Sequence, residues 1–398
     1  MSASRFIASK LSFRGRLAEA AVALSFLVVA LAVSVSAGYR KQIRAGVRDL
    51  SGDIQVTGYS SEFDMDSTSV VLSPESRARL LAIPGVDSLR NVVCRAGIVK
   101  SDETVHGVLV KGVDRGAAPY LAPGDTLAPL SVAIPSRLSD ILQVRKGDPL
   151  VTYFIGNDGK VKVRKFFIAA VYSGILEMDD QLVVYADIAD MRRLCLWDAT
   201  RSSAVEVLLG KGYDPVKDGE TVLAEMEAVL MDPSDNEFHR IQTSVEAYPA
   251  LFSWLDLLDI NVTVLLILMG VVAGFNMISG LLIMLLRNIP TIGVLKTLGM
   301  RNGPLAAAFL SCAARTLLRG LLVGNLLAIL FCLVQDSTHL LTLNPAHYFV
   351  SFVPVAFDWG YLLLADAAAL GIALLMVALP LLMIARIHPS ETVRGNLR

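Results

Sequence analysis

Four long apolar runs stand out along this chain, and the polar residues between them are so unevenly distributed that the runs read as membrane spans. A helix crossing a hydrocarbon core of about 30 Å needs ~20 apolar residues. Residues 20–39, 261–286 and 367–385 contain no Asp, Glu, Lys or Arg. A further run, 305–334, holds Arg315 and Arg319, so its uncharged part from 320 to 335 is only 16 residues. It reads as a long helix that starts in the cytoplasm with both arginines near the headgroups. The predicted spans are therefore 20–39, 260–286, 304–334 and 361–385. The first is longer than the hydrophobic part of a usual signal peptide and runs into charged sequence, which favours a retained anchor. Asp366 falls about five residues into the last span, counted from Tyr361 near its outer end, where a carboxylate is expected to reach water.

The block 40–259 has a different pattern. Strand-like stretches (53–59, 106–114, 131–136, 148–155, 161–174, 181–188) alternate with helix-like ones (73–83, 136–144, 186–195, 219–231). This predicts a mixed α+β domain with one or two cores. Ser73 and Ser136 are expected N-caps, and residues 155–160, IGNDGK, are expected to turn a hairpin. The charged or amphipathic stretches 39–50 and 250–259 extend the first two spans and predict a pair of stalk helices.

Charge orients the spans. Segments 1–19, 287–319 and 386–398 together hold twelve Lys/Arg against two acids, Glu19 and Glu391, whereas 335–366 has no Lys or Arg and three Asp. The positive-inside rule then places both termini in the cytoplasm and the large domain outside. The predicted order is a cytoplasmic amphipathic segment 1–19, the first span, the outer domain 40–259, the second span, a cytoplasmic loop 287–303, the third span, an outer loop 335–360, the fourth span and a tail 386–398.

Catalytic motifs are missing. GxxxxGK[ST], HExxH, CxxC and GxSxG do not occur. The five histidines lack metal-ligand spacing, so no metal or directly bound cofactor is expected. Cys94 and Cys195 lie in the outer domain, where a disulfide is chemically allowed although a gap of a hundred residues argues for it only weakly. The loop after the second span, 288–300, is more informative. Its sequence, NIPTIGVLKTLGM, spaces Ile292, Leu295 and Leu298 helically and so offers an apolar face at the membrane surface. An interfacial helix tying two spans together would show the same pattern.

Several segments resemble the FtsX-like permeases of ABC systems, a group that includes MacB-type exporters, and within it the lipoprotein-releasing permeases of the LolC/LolE type. They are 36–56 after the first span, the GVLVKGVD strand at 107–114, the helix-strand stretches 136–154 and 163–194, the span and loop 251–300, and the ending ARIHPSETVR at 385–394. The resemblance covers nearly the whole chain. It implies four membrane helices with an extracytoplasmic, MacB-like α+β domain of two lobes between the first and second. It also implies a second permease subunit, identical or homologous, two copies of a separate ATPase that binds the ATP and Mg, lipoprotein substrates in the inner membrane, and a periplasmic carrier.

By this analogy Pro290, Thr291, Ile292, Gly293, Leu295, Lys296, Leu298, Gly299 and Met300 form the coupling helix that sits in a cleft of the ATPase. Acyl chains would be held between the upper parts of the first span (Val33, Val35, Tyr39) and the second (Leu257, Leu258, Val262, Leu265). Arg164 matches a basic position near the carrier-contacting surface. The chain departs from the carrier-recruiting subunit at 155–165, which has room only for a tight turn where that subunit bears a long hook. Two other functions share the architecture: an efflux mechanotransmitter like MacB, and a signalling protein like FtsX that controls a cell-wall hydrolase. The first usually carries a fused ATPase, for which this sequence has no P-loop, and the matches at KGVD and GD argue against the second.

Overall fold

A computed structural model of the 398-residue chain describes residues 16–58, 69–100, 105–114, 127–156, 160–173, 182–231, 239–344 and 348–384. It divides into two compact units. One comprises Gln42–Ser253 and Leu343–Ser351, and the other Met1–Lys41, Trp254–Thr342 and Phe352–Arg398.

The helical unit is built from α1 (Arg16–Ser51), α7 (Pro249–Arg287), α8 (Ile289–Thr297), α9 (Asn302–Thr338) and α10 (Trp359–Ile384), of which α1 and α7 continue past the unit's bounds. Four of these, all but α8, are long and apolar enough to cross a membrane. Lipid tails are as apolar as leucine, so helices associate there by close packing, which small residues permit. Two glycine pairs spaced four apart do this. A Cβ on Gly320 or Gly324 of α9 would lie 2.5 Å from Val22 Cγ1 or the Ala23 carbonyl oxygen of α1. Gly270 and Gly274 of α7 similarly lie against Ile372 and Met376 of α10. Around these contacts Val22, Phe26, Met277, Phe309 and Ala373 form a buried core. Asp366 does not reach water, contrary to expectation. It is 4% exposed and accepts a hydrogen bond from Asn325.

The other unit is a nine-stranded sheet with helices on it, the α+β class expected. In chain order it contains β1 (Ile54–Gly58), α2 (Pro74–Leu81), β2 (Val86–Lys100), β3 (Val105–Val113), β4 (Ser131–Pro135), α3 (Ser136–Leu142), β5 (Pro149–Ile155), β6 (Val161–Tyr172), β7 (Val183–Asp187), α4 (Ile188–Cys195), β8 (Ala204–Leu209), α5 (Gly219–Leu230), β9 (His239–Thr243) and α6 (Ser244–Ala247). The strand order β3-β7-β4-β6-β5-β2-β8-β1-β9, with β3 also pairing to β2, closes six strands into a ring and leaves β8, β1 and β9 as an extension from it. β2 belongs to both parts: Val86–Val92 pairs with β8, and Val93–Lys100 pairs with β3.

Each part has its own core. Val110, Ile134, Phe154, Phe166 and Ile168 pack with Leu138 of α3 and Met191 of α4, while Ile54, Val56 and Val207 pack with Leu80 of α2 and Met226 of α5. Ser73 caps α2 as expected, its Oγ accepting from the Ser76 N–H at 3.0 Å. Ser136 does not cap α3. Pro135 holds the N-cap position without a side-chain bond, which makes Ser136 the first helical residue. β5 and β6 pair as the expected hairpin, with Ile155 opposite Val161, although turn residues 157–159 lie outside the described ones. Cys94 and Cys195 are both free thiols.

Where the end of α1 meets the sheet, the carbonyls of Asp49 and Leu50 accept from Lys111 Nζ at 3.3 and 2.8 Å. Lys111 also pairs with Glu206, both side chains being 1% exposed, and Arg90 binds the other Glu206 oxygen through Nε at 2.9 Å. A helix C-terminus carries partial negative charge, so cations are favoured there. Arg48 adds to the network by pairing with Asp53 at 3.4 Å.

Candidate permease surfaces

The segment after α7 forms a short helix, with Pro290 in its first turn, where a missing N–H costs nothing. Its apolar residues do not share one open face as the spacing implied. Ile292 is buried in the core of the helical unit with Leu305 and Phe309, and Leu295 and Met300 pack partly against that core. Leu298 comes after the last helical residue and is 78% exposed. Val294, which the spacing argument passed over, is also exposed, as are Pro290 and Thr291. Gly293 is buried and Lys296 half-buried. Gly299 has φ +86°, a left-handed conformation that ends the helix and turns the chain toward α9. The surface left to a partner is therefore Pro290, Thr291, Val294, Leu298 and Gly299, while Ile292 anchors the helix from behind.

At the other end of the spans, the two proposed walls differ. Val33 is 1% exposed and packs among Ala328, Leu362 and Ala365 of α9 and α10, so it is part of the bundle core. Val35, Leu258, Val262 and Leu265 are half-buried, and Leu257 is exposed beside Ile260 and Val264. Tyr39 is buried edge-on against Trp254, ring centroids 5.3 Å apart.

A polar cluster that the apolar pattern does not reveal bridges these elements. Asp259 of α7 accepts from Ser36 Oγ at 2.7 Å and pairs with Arg40 at 3.1 Å, and the Arg40 guanidinium lies 5.1 Å from the Tyr361 ring of α10. The sequence does contain a signal for it, because Asp259 and Arg40 are the charges that flank the outer ends of the first two spans. Exposed apolar residues on α7 thus lie beside a latch of partly solvated polar contacts.

Arg164 lies on β6 and is exposed, and its side chain donates to its neighbour's carbonyl, that of Val163. The same hairpin exposes Ile155, Val161, Val163 and Phe167.

Residues 263–389 match the FtsX-like permease C-terminal family. The lipoprotein-releasing system transmembrane protein LolC of Neisseria meningitidis serogroup B (strain ATCC BAA-335 / MC58) is 22% identical over 413 positions, covering 96% of this chain and 94% of its own. The chain carries an FtsX-like permease domain. The LolC protein of Xylella fastidiosa (strain Temecula1 / ATCC 700964) is 21% identical, covering 94% of this chain and 92% of its own length. Among solved structures, the periplasmic region of MacB from Actinobacillus actinomycetemcomitans matches over 52% of this chain and 95% of its own, with 13% identity and a TM-score of 0.33. The family match runs from within α7 through the fourth span, and with the near-full-length similarity to LolC proteins it supports an ABC transporter permease subunit.

Proposed function

We propose that this permease subunit extracts lipoproteins from the outer leaflet of the inner membrane and hands them to a periplasmic carrier. In this reading both termini are cytoplasmic and the sheet domain is periplasmic. ATP is hydrolysed by two copies of a separate ATPase, and a second permease, identical or homologous, completes the assembly. The observation that carries the proposal is the extent of the similarity to LolC proteins, which spans 96% of the chain and so includes the sheet domain and all four spans.

The exposed part of 290–299 is the surface for the ATPase, and Leu257, Leu258, Val262 and Leu265, with Val35, form the wall for acyl chains. Val33 and Tyr39 hold that wall in place from inside. Arg164 is the position offered to the carrier.

Two experiments test these assignments. A photo-crosslinker at Leu258 should capture an acylated lipoprotein and leave its unacylated variant uncaptured; equal capture of both would remove the acyl-chain wall. Leu298→Asp puts a carboxylate on the exposed surface and should abolish lipoprotein-stimulated ATPase activity at unchanged protein level. Ile292→Asp buries the charge and should instead lower the protein level, since an unpaired buried charge costs several kcal/mol. Full stimulation in Leu298→Asp would mean that this surface is not the ATPase contact.

A further inference from the structure

Asp366 of α10 and Asn325 of α9 meet inside the helical unit. Asn325 is the residue after Gly324, which touches Ala23, Phe26 and Leu27 within the apolar part of the first span. The buried positions near the pair on the same helices are Ala328, Leu362, Ala365 and Ala369, all apolar. Asn325 Nδ2 donates to Asp366 Oδ2 at 2.6 Å. The other oxygens of the two groups, Asp366 Oδ1 and Asn325 Oδ1, are buried and have no partner among the described residues.

Among the described residues no ion pair reaches the carboxyl either. Of the charges on the packed helices, Glu19 of α1 pairs with Arg319 of α9, Arg40 of α1 pairs with Asp259 of α7, and Asp358 receives the Tyr361 N–H at the start of α10. A carboxylate held by a single neutral donor in such surroundings is expensive, and so is each acceptor left unbonded.

We infer that Asp366 and Asn325 form a proton-binding site, occupied at neutral pH, in which the carboxylic acid and the amide share a ring of two hydrogen bonds. One proton on Asp366 Oδ1 removes the charge and turns that oxygen into a donor for Asn325 Oδ1, so both orphaned acceptors are satisfied together. Each group is planar with its two polar atoms on one carbon. With one pair already in contact, a small turn of either side chain closes the other. A metal ion fits less well, because hard cations take about six oxygen ligands and only two free acceptors are present. The ring then ties the third span to the fourth without placing a charge in lipid.

The test uses the full chain in lipid nanodiscs. The infrared difference spectrum of wild type minus Asp366→Asn should show the carbonyl band of a protonated carboxyl at neutral pH, shifting in heavy water. Asp366→Asn should keep the wild-type melting temperature, because two amides close the same ring. Asp366→Leu, which strands Asn325, should melt lower. Absence of the protonated band at neutral pH, or a drop in Asp366→Asn as large as in Asp366→Leu, would overturn the inference.

Discussion

Replacing Lys111 with methionine should loosen the sheet domain more than any other single loss of charge. Lys111 and Glu206 are each 1% exposed, so neither can turn to water when its partner is gone. Breaking a buried pair from one side costs about 3–5 kcal/mol, because the remaining charge keeps its desolvation penalty. Two features of the site adjust that figure. Arg90 stays on Glu206 through Nε and moderates the loss. The carbonyls of Asp49 and Leu50 lose their shared donor, and each such bond contributes about 1 kcal/mol.

A net cost of about 3 kcal/mol corresponds to a factor of roughly a hundred in the opening equilibrium. Hydrogen exchange of the full chain in detergent, followed by mass spectrometry on peptides from β2 and β8, reads that equilibrium directly. Amides there should exchange about a hundredfold faster in Lys111→Met. Lys146→Met, at an exposed position, should stay within ~0.5 kcal/mol of wild type. If Lys111→Met accelerates exchange by less than about fivefold, below roughly 1 kcal/mol, the network does not hold the end of α1 as argued.

Gly324→Val should abolish recovery of monodisperse protein in detergent, because its first carbon would sit 2.5 Å from a backbone oxygen that cannot move alone. Normal yield would show that α1 and α9 can separate at that point without penalty. For Cys94, burial pushes the thiol up to about 11 from 9.0. Its folded pKa is raised, so the associated stability is present below pH 9.0 and is lost as pH rises through about 11. Iodoacetamide should therefore leave Cys94 of the folded protein unmodified at neutral pH, where it carries about a hundredfold less thiolate than an ordinary cysteine. Rapid labelling at pH 7, read by mass spectrometry, would contradict the burial argument.

The spans were readable because a bilayer imposes length and apolarity on any crossing helix, and the hairpin and the Ser73 cap because their chemistry is local. β2 was not readable. Asp87, Ser88, Arg90 and Asn91 interrupt its apolar pattern, yet Arg90 is there to meet Glu206, a partner 116 residues away. β8 hides for the same reason, since its AVEVLL carries a glutamate that looks exposed and is buried. The face read from Ile292, Leu295 and Leu298 failed because spacing cannot tell which side of a short helix its own bundle covers. Asp366 was placed at the water boundary by counting from Tyr361, and only its contact with Asn325 shows that it lies deeper. The paired glycines 270/274 and 320/324 went unread in the sequence, although each pair is a GxxxG, a pattern that marks close helix approach.

Because β2 pairs with β8 along one half and with β3 along the other, its register is written twice. A slip of one residue would carry Asn91 into the place of Val92 in one core and push Val92 into the place of Val93 in the other. Neither half can slip alone without breaking the strand between them. The sheet domain therefore has no partly correct version in which one core forms around a misaligned neighbour: alignment of one lobe proofreads the other.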